Sequence, residues 1–263
     1  RKNMKKVLSI AGSDPSGGAG IQADIKTITA HKHYAMAVIV SLTAQNTTAV
    51  SGVLNCSPEF VEAQIDSVLS DITPDAIKLG MLSNADIMRS VAKMLKKYNC
   101  KNIVLDPVMV ATTGGRLMDE SALEVYIKEL FNLASVVTPN LPEASVLSGM
   151  EIKNMDDMKT AAIKISNYGC KSVLIKGGHW REDAAVDLLY ENGEFSQFCA
   201  PKVDTNNTHG TGCTLSSAIA CNIASGLSIN QSVKNAKEYV TYALKSGMVI
   251  GHGNGPINHC WSL

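Results

Sequence analysis

The sequence predicts an α/β fold: a mostly parallel central sheet, helices on both faces and a small β flap. Three observations carry that prediction. Short apolar runs rich in β-branched residues alternate with amphipathic helical stretches almost from end to end. Strand–helix alternation of this kind builds parallel sheets covered on both sides. Polar, charged and glycine residues gather directly after the apolar runs, where such a sheet opens its ligand cleft.

Strands are expected over 7–11, 36–41, 76–79, 103–105, 136–137, 173–175 and 186–190. Helices are expected over 21–30, 59–69, 85–97, 121–130 and 158–168, with Val61, Ile65, Val68 and Leu69, and then Ile87, Val91 and Leu95, at helical spacing. Glu191-Asn192-Gly193-Glu194 reads as a hairpin turn and puts an antiparallel pair near one sheet edge. The stretch 43–56 is polar and β-branched, the expected flap. Beyond Thr211 the pattern is purely helical, over 215–224 and 230–246. No repeat or long linker interrupts it, so one domain over 4–263 is expected, with Arg1-Lys2-Asn3 ahead of an expected start at Met4.

Composition narrows the function. Hydrophobic residues make up 45% of the 263 and charged residues 18%, enough to build a core. Lys plus Arg equals Asp plus Glu at 24 each, so nothing provides the broad positive field of a nucleic-acid binder. Seven widely spaced cysteines form no Cys-x-x-Cys pair and read as buried thiols in a reducing compartment. The apolar run at 7–11 ends at Gly12-Ser13-Asp14, too short for a signal peptide or a membrane span. The cytoplasm is the expected location, with no membrane partner.

The residues after the strands supply the chemistry. Gly12 to Gly20 holds four glycines that let backbone approach a ligand closely, yet it is neither Gly-x-Gly-x-x-Gly nor a Walker A loop. Asp24, one turn into the following helix, is a candidate for holding a substrate polar group. Asn206 to Thr214 leads straight into a helix, and its glycines leave N–H groups free to converge on an anion. Such donors would stabilise a phosphoryl group in transfer. Cys213 stands at that helix start, where a thiol pKa is expected to fall. Asp106 and Glu143 follow two different strands and suit Mg²⁺ organised around phosphates through water. Lys176 and Lys237 would neutralise nucleotide phosphates. Gln45 offers one donor and one acceptor side by side, able to read an amino-pyrimidine edge, with Met81 and Val108 as apolar contacts for a flat ring. Taken singly, each has an ordinary reading: a helix cap, a solvated Lys, a core Met or Val. Gly251 to Pro256 precedes no helix and is expected to be a loop.

Taken in order, these segments resemble a known family. Gly12-Ser-Asp-Pro-Ser-Gly-Gly-Ala-Gly-Ile-Gln-Ala-Asp24, Thr43-Ala-Gln-Asn46, Lys78-Leu-Gly-Met81, Asp106-Pro-Val-Met109, Thr138-Pro-Asn-Leu-Pro-Glu143, Lys176-Gly-Gly-His179 and His209-Gly-Thr-Gly-Cys-Thr214 look like hydroxymethylpyrimidine/phosphomethylpyrimidine kinases of the ribokinase-like superfamily. The match runs in order over nearly the whole chain. It implies two successive ATP-dependent phosphorylations in thiamine biosynthesis: of the hydroxymethyl group of 4-amino-5-hydroxymethyl-2-methylpyrimidine, then of the monophosphate. By resemblance, Gln45 holds the pyrimidine edge, and Gly12, Asp24, Met81 and Val108 line its pocket. Asp106, Glu143 and Asn140 organise Mg²⁺ and phosphates, Lys176, Thr208 and Lys237 contact ATP, and Gly210, Thr211, Gly212 and Cys213 form the anion hole. The resemblance also implies a homodimer. Sugar kinases of the superfamily place Asp where Cys213 stands, so the cysteine is a base or a positioning group. The alternatives are a pyridoxal kinase on the same scaffold and a non-catalytic metabolite sensor.

Overall fold

The computed structural model describes residues 4–109, 120–178 and 184–263, so Arg1 to Asn3 and His179 lie outside the described residues. The first half runs β1 (Lys6–Ser13), α1 (Gly20–Ala30), β2 (Tyr34–Gln45), β3 (Val50–Asn55), α2 (Pro58–Leu69), β4 (Ala76–Leu79), α3 (Ala85–Lys97) and β5 (Ile103–Leu105). The second runs α4 (Glu120–Leu130), β6 (Val136–Val137), α5 (Leu141–Ser148), α6 (Met155–Ser166), β7 (Ser172–Ile175), β8 (Ala184–Glu191), β9 (Glu194–Pro201), α7 (Thr211–Ala224) and α8 (Ile229–Lys245). One sheet contains all these strands, in the order β3-β2-β1-β4-β5-β6-β7-β8-β9. From β2 to β7 the neighbours are parallel. The edge pairs β2–β3, β7–β8 and β8–β9 are antiparallel.

Period-two alternation divides the strand residues between two cores. Leu8, Ile77, Ile103, Leu105, Val137, Val173 and Ile175 face a core shared with α2 to α6. Val7, Ala76, Val104, Val136 and Leu174 face a second core with α7 and α8. Every residue of α7 from Thr214 to Ala224 is buried, so this is an interior helix. Its small side chains, Ser216, Ser217, Ala218 and Ala220 among them, let it sit close between the sheet, α1 and α8.

The topology places the cleft. From β1 the chain first adds β2 on one side and later returns to β4 on the other. That switch opens a crevice at the carboxyl ends of the strands, and the N-terminus of α7 points into it. The expected flap is an outer hairpin made by the end of β2 and β3, whose residues are mostly exposed. The expected turn before β9 has positive φ at both Asn192 (52°) and Gly193 (84°), the conformation that matches strand twist in a two-residue hairpin.

One helix was not expected from the sequence. α5 begins in the motif read only as polar residues after a strand, because Asn140 accepts from the Glu143 N–H at 2.9 Å while Glu143 accepts from the Asn140 N–H at 2.8 Å. This reciprocal capping box satisfies two helix-end donors. Among the described residues no helix is long and apolar enough to cross a membrane.

Candidate active site

A cavity of about 210 Å³ occupies the crevice. Its roof is the flap, through Thr43, Gln45, Val50 and Val53, and one wall is the loop after β1, with Gly12, Asp14 and Gly20. Met81, Asp106 and Val108 follow β4 and β5, Asn140 and Glu143 head α5, and Lys176 follows β7. The run from Thr208 to Cys213 closes the remaining side. Thus the structure gathers every predicted site residue except Asp24 and Lys237.

The leading turn of α7 is shaped by Gly210, the N-cap, at φ 83°. A Cβ there would stand 1.8 Å from the Gly18 carbonyl oxygen, so only glycine allows the turn to press against the loop after β1. The Thr211 N–H is spent on the Thr208 carbonyl at 3.2 Å, and that of Thr214 on the Gly210 carbonyl at 2.9 Å. Among the described residues the amides of Gly212 and Cys213 have no protein acceptor. The anion-binding capacity of the turn therefore narrows to those groups at the positive end of the helix.

Beside the turn lies a charged cluster. Asp106 is buried and accepts from Lys176 Nζ at 3.1 Å, Thr138 Oγ1 at 3.1 Å and Ser216 Oγ at 3.2 Å. Burial opposes its charge, but Lys176 and Lys78 outweigh burial and hold its pKa below the ordinary value. Burial likewise opposes the Lys176 ammonium, while Asp106 and Glu143 hold its pKa up. Glu143 goes the other way: burial pushes it up to about 7, with Asp106 adding to the rise and Lys176 resisting it. Its partner Asn140 bridges to Lys176 through the backbone.

Two expectations are corrected, and Lys237 stands apart from the cavity. Asp24 does not reach the cavity. It is fully buried below, where it accepts from Ser9 Oγ at 2.5 Å, Ser217 Oγ at 2.7 Å and Lys78 Nζ at 2.9 Å to both oxygens. Lys237, expected to contact ATP, lies outside this cavity, bonded to Asp187 Oδ2 at 2.6 Å along a second cavity between β9 and α8. Asp187 also accepts from the Gly177 N–H at 3.0 Å, so Lys237 braces the turn that carries Lys176. Finally, the Cys213 thiol is pushed up rather than down. Burial is the largest influence and Asp24 and Asp106 add to it, against Lys78 and the Gly20 N–H. The helix end does not overcome enclosure beside two carboxylates.

Two features were missing from the sequence reading. Lys78, inside the apolar strand β4, lines the cavity floor although its side chain is wholly shielded from solvent. A lysine within an apolar run was the available signal, since buried lysines need a partner. His209 pairs with Asp14 at 2.8 Å and joins the two glycine-rich segments. Both residues lie in motifs already singled out, but their pairing spans 195 positions.

With this geometry, comparison with known proteins is specific. The phosphomethylpyrimidine kinase family model matches residues 14–258. The hydroxymethylpyrimidine/phosphomethylpyrimidine kinase of Bacillus subtilis is 43% identical, over 98% of this chain and 95% of the relative. The thiamine biosynthesis bifunctional protein of Geobacter sulfurreducens is 45% identical over 96% of this chain, which spans about half (52%) of that longer protein. The pyridoxal kinase of Staphylococcus aureus in complex with ADP superimposes with a TM-score of 0.91 at 36% identity, covering 98% of this chain and 94% of that one. The ribokinase-like α/β fold is thereby borne out, and the chain belongs to the phosphomethylpyrimidine kinase family.

Proposed function

We propose that the protein is an ATP-dependent kinase that phosphorylates the hydroxymethyl group of 4-amino-5-hydroxymethyl-2-methylpyrimidine and then converts the monophosphate to the diphosphate. The observation that carries this reading is a single cavity with two chemically distinct ends. Gln45, Val50, Val53 and Met81 offer an amide and apolar surface for a flat polar ring. Lys176, Asp106 and the amides of Gly212 and Cys213 offer charge and donors for phosphates. Cys213 lines the same cavity, and in this reading it stands beside the ring-borne hydroxyl.

In this reading the ring stacks between Met81 and Val108 while the Gln45 amide pairs with the amine and the neighbouring ring nitrogen. Flap and wall exclude water, and the free α7 amides neutralise charge on the moving phosphoryl group. The nucleotide base would then occupy the second cavity, which is lined by Phe198, Tyr242 and Lys237. Among the described residues no group of three or more His, Cys, Asp or Glu side chains is arranged to hold a metal ion. The donors instead fit an Mg²⁺ ion that arrives with ATP, held through water by Asp106 and Glu143, with Asn140 beside them. It would supply charge neutralisation on the phosphates.

Pyridoxal is the second reading, favoured by the 36% identity to a pyridoxal kinase. Pyridoxal also carries a hydroxymethyl group on a flat ring, but has no amine beside its ring nitrogen for Gln45 to read. A substrate panel with ATP and Mg²⁺ and product identification by mass spectrometry tests both. Mono- and diphosphate of the aminopyrimidine are expected. A large preference for pyridoxal in kcat/KM would overturn the substrate, and ligand binding without ATP consumption would overturn the activity.

A further inference from the structure

Thr43 and Gln45 stand two residues apart near the end of β2, so their side chains share one face, and both line the cavity. The register with β3 shifts between Ala44 and Gln45, an irregularity of the kind that re-aims a side chain beside a ligand site. Among the described residues Thr43 is the only protein partner of the Gln45 side chain.

Thr43 Oγ1 stands 2.9 Å from the Ser13 carbonyl oxygen and 3.3 Å from Gln45 Oε1. A hydroxyl has one hydrogen and a carbonyl can only accept, so that hydrogen belongs to Ser13. The distances agree, since 3.3 Å exceeds the usual O–H···O reach of about 2.5–3.0 Å. Thr43 can therefore offer Gln45 only a lone pair. Two oxygens that face each other without a hydrogen repel. Turning the amide end for end removes the conflict, because Nε2 then stands beside Thr43 and gives it one N–H.

The anchor of this contact is itself fixed. Gln22 Nε2 donates to Ser13 Oγ at 2.8 Å, and Gln22 Oε1 accepts from the Asp14 N–H at 2.8 Å. The Asp14 N–H can only donate, so the Gln22 amide has one orientation and holds Ser13 with it. Asp14 is tied in turn to His209. Thr43 is β-branched and stiff at χ1, which keeps its hydroxyl on Ser13.

We propose that Thr43 is a positioning residue for substrate specificity: it holds the Gln45 amide with Nε2 on the Thr43 side and Oε1 on the far side. This rests on the pyrimidine reading of the cavity. One Nε2 hydrogen goes to Thr43, while the other gives to the ring nitrogen and Oε1 accepts from the neighbouring amine. A 4-oxo ring carries the opposite order, a carbonyl beside a ring N–H. It meets donor with donor and acceptor with acceptor. Turning the amide to suit it would bring Oε1 back against the Thr43 lone pair. The pocket thus rejects the oxo ring by repulsion as well as favouring the amine by pairing.

Two measurements test this. The first is NMR of the intact chain without ligand, with nitrogen-15 in the glutamine side chains and Gln45 assigned through Gln45→Ala. A nuclear Overhauser cross-peak is expected between a Gln45 Nε2 proton and the Thr43 side chain. Its absence overturns the proposal. The second is isothermal titration calorimetry without ATP, comparing 4-amino-5-hydroxymethyl-2-methylpyrimidine with its 4-oxo analogue. Thr43→Val keeps the shape and removes the lone pair, so the preference for the amine, as a ratio of Kd values, should fall about tenfold or more. Thr43→Ser should restore most of it. A flap that is merely loosened weakens both ligands alike, so an unchanged ratio in folded Thr43→Val overturns the proposal. An equal fall when Thr43→Val is added to Gln45→Ala does so too. Should Thr43→Val not fold, the cross-peak on the intact chain decides. If the intact chain binds neither pyrimidine but shows the cross-peak, the substrate reading fails and the hold of Thr43 on Gln45 stands, so the two failures are distinguishable.

Discussion

Nε2 of His209 stands 2.8 Å from Oδ2 of Asp14, both side chains buried. Asp14 also gathers the N–H groups of Ser16 and Ala19 and the Ser16 hydroxyl, which folds the loop after β1 around its carboxylate. His209 heads the turn into α7, and its backbone pairs with Gly255 and Ile257 of the C-terminal loop. One contact thus joins the three glycine-rich segments of the sequence at the cavity wall.

Acid stability should report this contact. Burial opposes the charge on Asp14, but the hydrogen bonds from His209, Ser16 and Ala19 outweigh it and lower its pKa from 3.8 to about 2. A depressed carboxylate stabilises the fold above the unfolded-state pKa, and the contribution is lost as pH falls through the folded value. The shift corresponds to about 2 kcal/mol at neutral pH. Urea unfolding from pH 5 to 2 should show Asp14→Asn less stable by that order at pH 5, with the gap closing toward pH 2. A gap that does not change with pH would count against the assignment.

Cys213→Ala should lower kcat at least tenfold and leave both KM values within about threefold, because the sulfur acts on the reacting hydroxyl and not on ground-state binding. Steady-state kinetics on the aminopyrimidine check this. Unchanged turnover removes Cys213 from the chemistry.

Gln45→Ala should act on binding instead. Stranding the amine and ring nitrogen of the substrate in a dry pocket costs about 1–3 kcal/mol, or roughly a five- to 150-fold rise in the pyrimidine KM. The KM for ATP should be unaffected, and an unaltered pyrimidine KM would separate Gln45 from recognition.

Lys237→Met leaves Asp187 buried without its cation, a loss of about 3–5 kcal/mol in unfolding free energy. Adding Asp187→Leu should recover most of that stability in urea melts. The KM for ATP should stay raised in both variants, because the Gly177 turn has lost its brace and the second cavity its cation.

Gly253 packs against the tip of the flap, donating to Thr47 Oγ1 at 3.1 Å. A Cβ at this position would lie 2.0 Å from the Thr47 carbonyl oxygen. Gly253→Ala should therefore push the flap outward and raise the pyrimidine KM severalfold. The melting temperature should move little, since the hairpin is exposed and costs of order 1 kcal/mol or less when displaced. Parallel kinetics and thermal melts check both halves.

The strands were legible because each is a short β-branched run, and β4 and β5 match the expected spans of 76–79 and 103–105. α3 likewise matches 85–97, since its apolar residues keep one strict stripe. α5 was not legible as a helix: its eight residues include Pro142 and carry almost no amphipathic pattern, so only the Asn140–Glu143 capping box marked it. Within the site, the residues after each strand could be identified because a parallel sheet delivers those positions to one edge. The fate of Asp24 could not, because which face of α1 turns inward depends on Lys78 and Ser217, which are distant in sequence.

The sequence by itself determined the alternating architecture, the place of the cleft and the residue types that border it. Periodicity and loop chemistry are local properties, written within a few residues of each other. Only the tertiary structure decided how the charges are shared. It sank Asp24 onto Lys78, drew Lys237 to Asp187, tied His209 to Asp14 and enclosed Cys213 so that its thiol is held up rather than down. Ion pairing and desolvation depend on distance and enclosure in space, and a linear sequence fixes neither until the chain has packed.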